Sequence, residues 1–335
     1  MTEPQITPKD RRPKMYPAPE FPPRKPALFA RTPPAVFPVL LGLLGLGLAL
    51  RRGLDGTVLA GLAEALMGGL LVVWAFAVLA MAAKIARRPG VLAEDLRVLP
   101  GRAGMAAATM SVMAAAGVVL PYAPVAAVAM AFAGLVLHGV LALVLVAVLA
   151  RMPAEAREVN PAWHLQFVGF IVAAVPLAQA GWTGLAGGIF WATLVPAGLI
   201  WGLSLAQLIR RVPPAPLRPL LAVHMAPAAL FATVAALTGQ GALATGFAVA
   251  GLVLLAVLAA AGRWIAESGF SALWGAFTFP LAALAGGLLA TGGLFRLPGL
   301  AVMVLAALVV PAIAWRVLKL WPGGRLAAKT NAAEA

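Results

Sequence analysis

Apolar residues run through the chain in ten blocks, at about 34–50, 57–83, 102–120, 124–150, 162–180, 184–209, 219–238, 241–262, 271–291 and 297–319. Each is near or above the ~20 residues a helix needs to cross a bilayer core. The links at 51–56, 121–123, 181–183, 239–240 and 292–296 are short and mostly Gly or Pro, so the blocks pair off as antiparallel hairpins. No alternating, polar-inward strand pattern of a membrane barrel is present. The pattern predicts an all-α polytopic membrane protein, with ten transmembrane helices arranged as five helical hairpins.

Spacing within the blocks singles out an inner set. In the ninth block, Gly275, Phe279, Ala282, Ala283, Gly286 and Ala290 fall on one helix face, and Leu273, Phe277, Leu281, Leu284 and Leu288 on the other. The first face is bare except for one ring, as suits a helix bordering a cavity that Phe279 fills. Pro38, Pro176, Pro227 and Pro280 lie in the first, fifth, seventh and ninth blocks. Each is expected to remove a helix hydrogen bond that protein or water, rather than lipid, must replace. Small strips recur on the same helices, including Gly42, Gly45 and Ala49, Gly169 and Ala173, and Ala222, Ala226 and Ala229. Close helix packing accounts for such strips at least as well as a pore does. The candidate pore-lining and kink residues are therefore Pro38, Gly42, Gly169, Ala173, Pro176, Ala226, Pro227, Gly275, Pro280 and Ala283, with Phe279 as the candidate gate.

Composition agrees with a membrane class: 62% of the 335 residues are hydrophobic and 11% charged, too apolar for the surface of a soluble protein. The net charge of +14 would suggest nucleic acid in a soluble chain, but its distribution gives another cause. Of the 25 Lys and Arg, only Arg51, Arg52 and Arg296 lie at hairpin tips. The positive-inside rule then puts both termini in the cytoplasm and the tips outside, in a plasma or bacterial-type inner membrane. Residues 1–35, basic and proline-rich, read as a disordered cytoplasmic tail without a signal peptide's apolar core. The channel domain is expected over 36–320, with a cytoplasmic C-terminal tail over 321–335.

Candidate chemistry is sparse. The chain has no cysteine, which excludes thiolate catalysis and Cys-based metal sites. Glu64 is the only acid well inside a block, and it is weighed as a proton-coupling residue against a bond to a neighbouring helix. His138, His164 and His224 have no carboxylate at ligand spacing, so no metal site is expected. His164 opens an inner-set helix and His224 stands one turn before Pro227, which makes both candidates for a cytoplasmic mouth. No nucleophile, base and acid constellation emerges and no nucleotide loop, so neither an enzyme nor a cofactor is expected. An acid-free interior with basic residues at its mouth, among them Arg102, Arg157, Arg218 and Arg263, suits anions and repels cations. Charge topology alone explains the placement of any one of these arginines.

The run Arg263-Trp264-Ile265, followed by Leu273-Trp274-Gly275-Ala276-Phe277-Thr278-Phe279-Pro280-Leu281-Ala282, resembles the tellurite-resistance/dicarboxylate transporter family. That family holds the bacterial TehA proteins, the plant guard-cell slow anion channels, and yeast malate and sulfite transporters. Phe37-Pro38-Val39-Leu40-Leu41-Gly42, Asn160-Pro161 and Ala226-Pro227-Ala228 extend the likeness from about Phe37 to Lys319. The resemblance implies five hairpins around a quasi-fivefold central pore lined by the odd-numbered helices, and a homotrimer of independent pores. It also implies that the phenylalanine matching Phe279 occludes the pore. Two functions follow as expectations: an anion channel or channel-like permease for small inorganic or organic anions, or a proton-coupled transporter of C4-dicarboxylate, sulfite or tellurite-related oxyanions.

Overall fold

The computed structural model describes residues 27–335. Its helices are α1 Phe37–Gly53, α2 Ala60–Arg87, α3 Gly90–Arg97, α4 Leu99–Val119, α5 Pro124–Ala150, α6 Ile171–Gln179, α7 Thr183–Arg210, α8 Met225–Leu237, α9 Gly241–Ala260, α10 Gly262–Ile265, α11 Thr278–Thr291, α12 Arg296–Leu318 and α13 Arg325–Lys329. No strand occurs among the described residues, as the apolar pattern requires: in lipid a helix satisfies its own backbone. The expected tail of residues 1–35 lies outside the described residues up to 26. Beyond that point Thr32 and Pro34–Val36 are buried.

Nine helices among the described residues are long and apolar enough to cross a membrane. The block expected at 162–180 differs: a π-helical turn, His164–Val168, precedes the short α6. Two tips show how the hairpins turn. After α6, the N–H of Trp182 bonds the carbonyl of Leu177 at 2.9 Å and that of Gly181 bonds Ala178 at 3.1 Å. After α8, Gln240 bonds Ala235 at 2.8 Å and Gly239 bonds Ala236 at 3.3 Å. Both are Schellman caps, and the left-handed φ of +90° at Gly181 and +77° at Gly239 is why glycine stands there.

The helices sort into two layers. In the stretches containing α1, α4, α8 and α11, 56–78% of the apolar window is buried, against 17–39% in α2, α5, α7, α9 and α12. The inner helices form a closed cycle in which α1 packs on α4, α4 on α6, α6 on α8, α8 on α11 and α11 back on α1. The outer helices expose leucines and valines such as Leu79, Leu143, Leu199, Val253 and Leu308, a surface suited to lipid tails.

Irregular backbone gathers at one end of the cycle. The 3₁₀ turns Pro34–Val36, Ala215–His224 and Ala272–Phe277 and the π turn lead into α1, α8, α11 and α6. Pro38, Pro227 and Pro280 fall within the first three residues of their α-helices, where the N–H needs no intrahelical partner. The expected interior kink therefore applies to Pro176 of α6 alone among the four; the other three mark where a 3₁₀ turn becomes an α-helix.

Both described ends of the chain meet at this same end. The N–H of Ala335 bonds the carbonyl of Ala30 at 3.1 Å. Beneath them Lys84 and Asp95, both fully buried, pair at 2.7 Å. The Lys84 ammonium also donates to the Thr32 carbonyl at 3.0 Å, and the second Asp95 oxygen accepts from the N–H of Ala333 at 2.7 Å. One buried pair thus fastens α2, α3 and both ends of the chain. Removing one partner strands the other charge, so Asp95→Ala is expected to cost about 3–5 kcal/mol. The check is thermal unfolding of the detergent-purified protein, in which the variant unfolds well below wild type.

Candidate functional site

Two cavities lie inside the helix cycle, end to end. The near cavity, on the side of the chain ends, is lined from the starts of the inner helices, including Pro38, His164, Gly169, Ala226, Pro227, Gly275 and Pro280. The far cavity is lined from their later turns, including Ala49, Arg52, Pro176, Thr233, Ala283 and Gly286. Among the described residues only Leu230 and Phe279 belong to both linings. Both are nearly buried where the two linings meet, with Phe279 8% and Leu230 7% exposed.

Local sequence explains how Phe279 is held there. Phe279 is the second residue of α11, directly after the 3₁₀ turn. Thr278 pins that junction, its hydroxyl lying 2.7 Å from the Gly275 carbonyl and 3.1 Å from the Pro38 carbonyl of α1. The facing stretch of α1 carries glycines because nothing larger fits. A Cβ on Gly45 would stand 3.1 Å from the Phe279 ring, and one on Gly42 would run into the Thr278 side chain. Of the bare face of the ninth block, Gly275 borders the near cavity and Ala282, Ala283 and Gly286 the far one, while Ala290 lines neither.

Two sequence candidates are corrected. Gly42 lines neither cavity, because it is consumed by contact with Thr278. Ala173 is fully buried between helices and also lines neither. In both cases close packing, the alternative explanation of the small strips, accounts for the residue.

The titratable groups are distributed differently from their spacing in sequence. Glu64 lines neither cavity. Its carboxylate accepts from Arg51 Nε and Nη2, both at 2.6 Å, and from the Tyr122 hydroxyl. Arg51 also donates to the Gly117 and Val118 carbonyls at 3.0 Å, so the cluster ties α1 and α2 to the α4–α5 tip. His164 does reach the near cavity, and its Nε2 lies 2.9 Å from Nδ1 of His224. His224 stands behind it rather than in the lining, with its carbonyl taking the Trp201 indole N–H at 3.1 Å. His138 is buried against Thr109, Nδ1 to Oγ1 at 2.7 Å.

None of the four mouth arginines lines either cavity. Arg218 is held by Glu267 and by the Pro213 and Trp264 carbonyls, with its guanidinium 4.4 Å over the Trp264 ring. Arg102 borders a separate cleft beside Glu155, Glu158 and Arg211. There Arg211 holds the Glu158 carboxyl below the usual carboxylate range by a direct hydrogen bond. No carboxylate lines either cavity, and no cluster of three or more metal-ligating side chains exists among the described residues.

Two of the lining residues that the sequence did not single out bear on the site. Leu230 lies among apolar neighbours and nothing in its spacing marks it. Arg52 was visible only as a tip charge, yet among the described residues it is the sole charged side chain in the far lining.

An all-helical bundle with a lipid-suited exterior and two axial cavities defines a polytopic membrane protein of channel or transporter type. A family model, described as voltage-dependent anion channel (SLAC1), matches residues 31–320. The chain belongs to that family of membrane anion channels and transporters. No curated protein matches the chain significantly.

Because Gly42 is a packing residue, Gly42→Val is expected to cost about 1–3 kcal/mol through overpacking against Thr278. Ala283→Ser, facing open cavity, is expected to leave unfolding unchanged. Thermal melts of the two variants in one detergent compare them directly.

Proposed function

We propose that the chain is an anion channel or channel-like anion permease whose conduit is the pair of axial cavities, occluded by Phe279 together with Leu230. The observation that carries this reading is that, among the described residues, Leu230 and Phe279 alone are shared by the two linings. A ring and an isobutyl group in a narrow apolar passage block sterically and strip water from an ion. The absence of carboxylates from both linings favours anions over cations.

The orientation follows from charge. The end where the chain termini meet carries the links rich in Lys and Arg, so it is assigned to the cytoplasm and the far cavity to the outside. A bacterial-type inner membrane and a homotrimer of independent conduits complete the proposal, on the strength of the family resemblance. Tellurite resistance is an oxyanion phenotype compatible with it.

The alternative, proton-coupled transport of C4-dicarboxylate, sulfite or a tellurite-related oxyanion, needs a titrating group on the path. Glu64, the one intramembrane acid, is bound by Arg51 and Tyr122 away from both cavities. A pH gradient is therefore not expected to drive uptake against a substrate gradient in proteoliposomes, and Glu64→Gln is not expected to abolish anion flux. Gradient-driven uptake lost in Glu64→Gln would establish the carrier instead.

Each ~1.4 kcal/mol removed from a barrier is a tenfold gain in rate, so Phe279→Ala is expected to raise anion current by about tenfold or more. Leu230→Ala is expected to raise it by less, since it removes a smaller obstacle. Recording in oocytes or planar bilayers tests both, and unchanged current in a well-expressed Phe279→Ala protein removes the occlusion assignment.

A further inference from the structure

Arg51 and Arg52 are adjacent in sequence and opposite in circumstance. Arg51 is saturated by Glu64 and two carbonyls. Arg52 makes one hydrogen bond among the described residues, from Nη1 to the Gly286 carbonyl at 2.9 Å. It takes part in none of the ion pairs there. A guanidinium carries five N–H donors and cannot shed its charge, so Arg52 brings a fixed cation and unused donors to the wall of the far cavity.

Its surroundings restrict what can answer that charge. The rest of the lining is apolar, with Val172, Val175 and Leu230 opposite, apart from the Thr233 hydroxyl. That hydroxyl bonds the Ala229 carbonyl at 2.9 Å and can rotate toward a ligand. The bond to Gly286 fixes the guanidinium on one side and leaves its other edge free. An uncompensated cation among apolar walls favours a bound counterion, and no carboxylate among the described residues supplies one.

We propose that Arg52 is the core of an anion-binding site in the far cavity, specific for a small monovalent anion of halide or nitrate size. With a single fixed cation, a monovalent anion is neutralised, whereas a dianion leaves one charge facing valine and leucine at the cost of its hydration. The site lies beyond the Phe279 partition, where an anion leaving the constriction would next reside. Its place in transport rests on the conduit reading above; the binding itself does not.

Crystals of the full-length protein soaked in bromide and measured at the bromine absorption edge test the binding directly. The expected result is an anomalous peak within hydrogen-bond reach of the Arg52 guanidinium, weaker in Arg52→Lys and lost in Arg52→Gln. No peak there, or a peak unchanged in Arg52→Gln, overturns the site, as does selenate occupying it in preference to bromide. In the Phe279→Ala background, Arg52→Gln is expected to raise the half-saturating chloride concentration by roughly tenfold or more, the worth of one charge-assisted hydrogen bond, with Arg52→Lys restoring part of it. An unchanged half-saturation overturns the site's part in transport. A bromide peak at Arg52 with no current through Phe279→Ala upholds the site and removes the conduit reading; current without the peak does the reverse.

Discussion

The close crossing of α1 on α11 is the contact on which the interior depends. Gly42 and Gly45 let the two backbones approach, Thr278 bridges them through the Pro38 carbonyl, and the Phe279 ring rests against Gly45. In lipid there is little hydrophobic force between helices, so close packing and interhelical hydrogen bonds hold such a crossing. α1 and α11 also close the cycle of inner helices. Widening their crossing would both open that cycle and move the ring that lines both cavities.

Much of this architecture was readable because a membrane permits few solutions. Block length, link length and the side preference of Lys and Arg gave the helical class and the pairing of helices. The one-sided pattern of the ninth block singled out a ring that lines both cavities. Pattern alone could not separate a glycine facing space from one facing a neighbour, so Gly42 and Ala173 entered the lining by spacing and left it by contact. It also could not tell Arg51 from Arg52. Their difference depends on Glu64, Gly117 and Gly286, brought together only by tertiary packing. Leu230 had no signal, because one leucine in an apolar run differs from the next only by what it faces.

Charge placement in the fold follows one economy. Lys84 answers Asp95, Arg51 answers Glu64, Arg218 answers Glu267 and Arg211 answers Glu158. These pairs sit near the helix ends, where they fasten turns and leave the axial cavities without acids. The result is an interior whose electrostatics are set by few groups, His164 on one side of the partition and Arg52 on the other. In such a low-dielectric space a single unpaired charge acts over a longer range than it would in water.

The junction before α11 bears on how the partition could move. Pro280 within the ninth block suggests a bent, loosened helix that could swing the ring. The structure puts Pro280 in the first turn, where it breaks no internal bond, and Thr278 anchors the preceding turn to both Gly275 and α1. The backbone carrying Phe279 is thus held rather than hinged. Displacement of the ring is therefore a matter of its own torsions and of the space beside it. Gly45 closes one side at contact distance, while the cavities lie on the other two. Rotation toward either cavity needs no helix to bend, and it requires Leu230, which shares the partition, to yield as well.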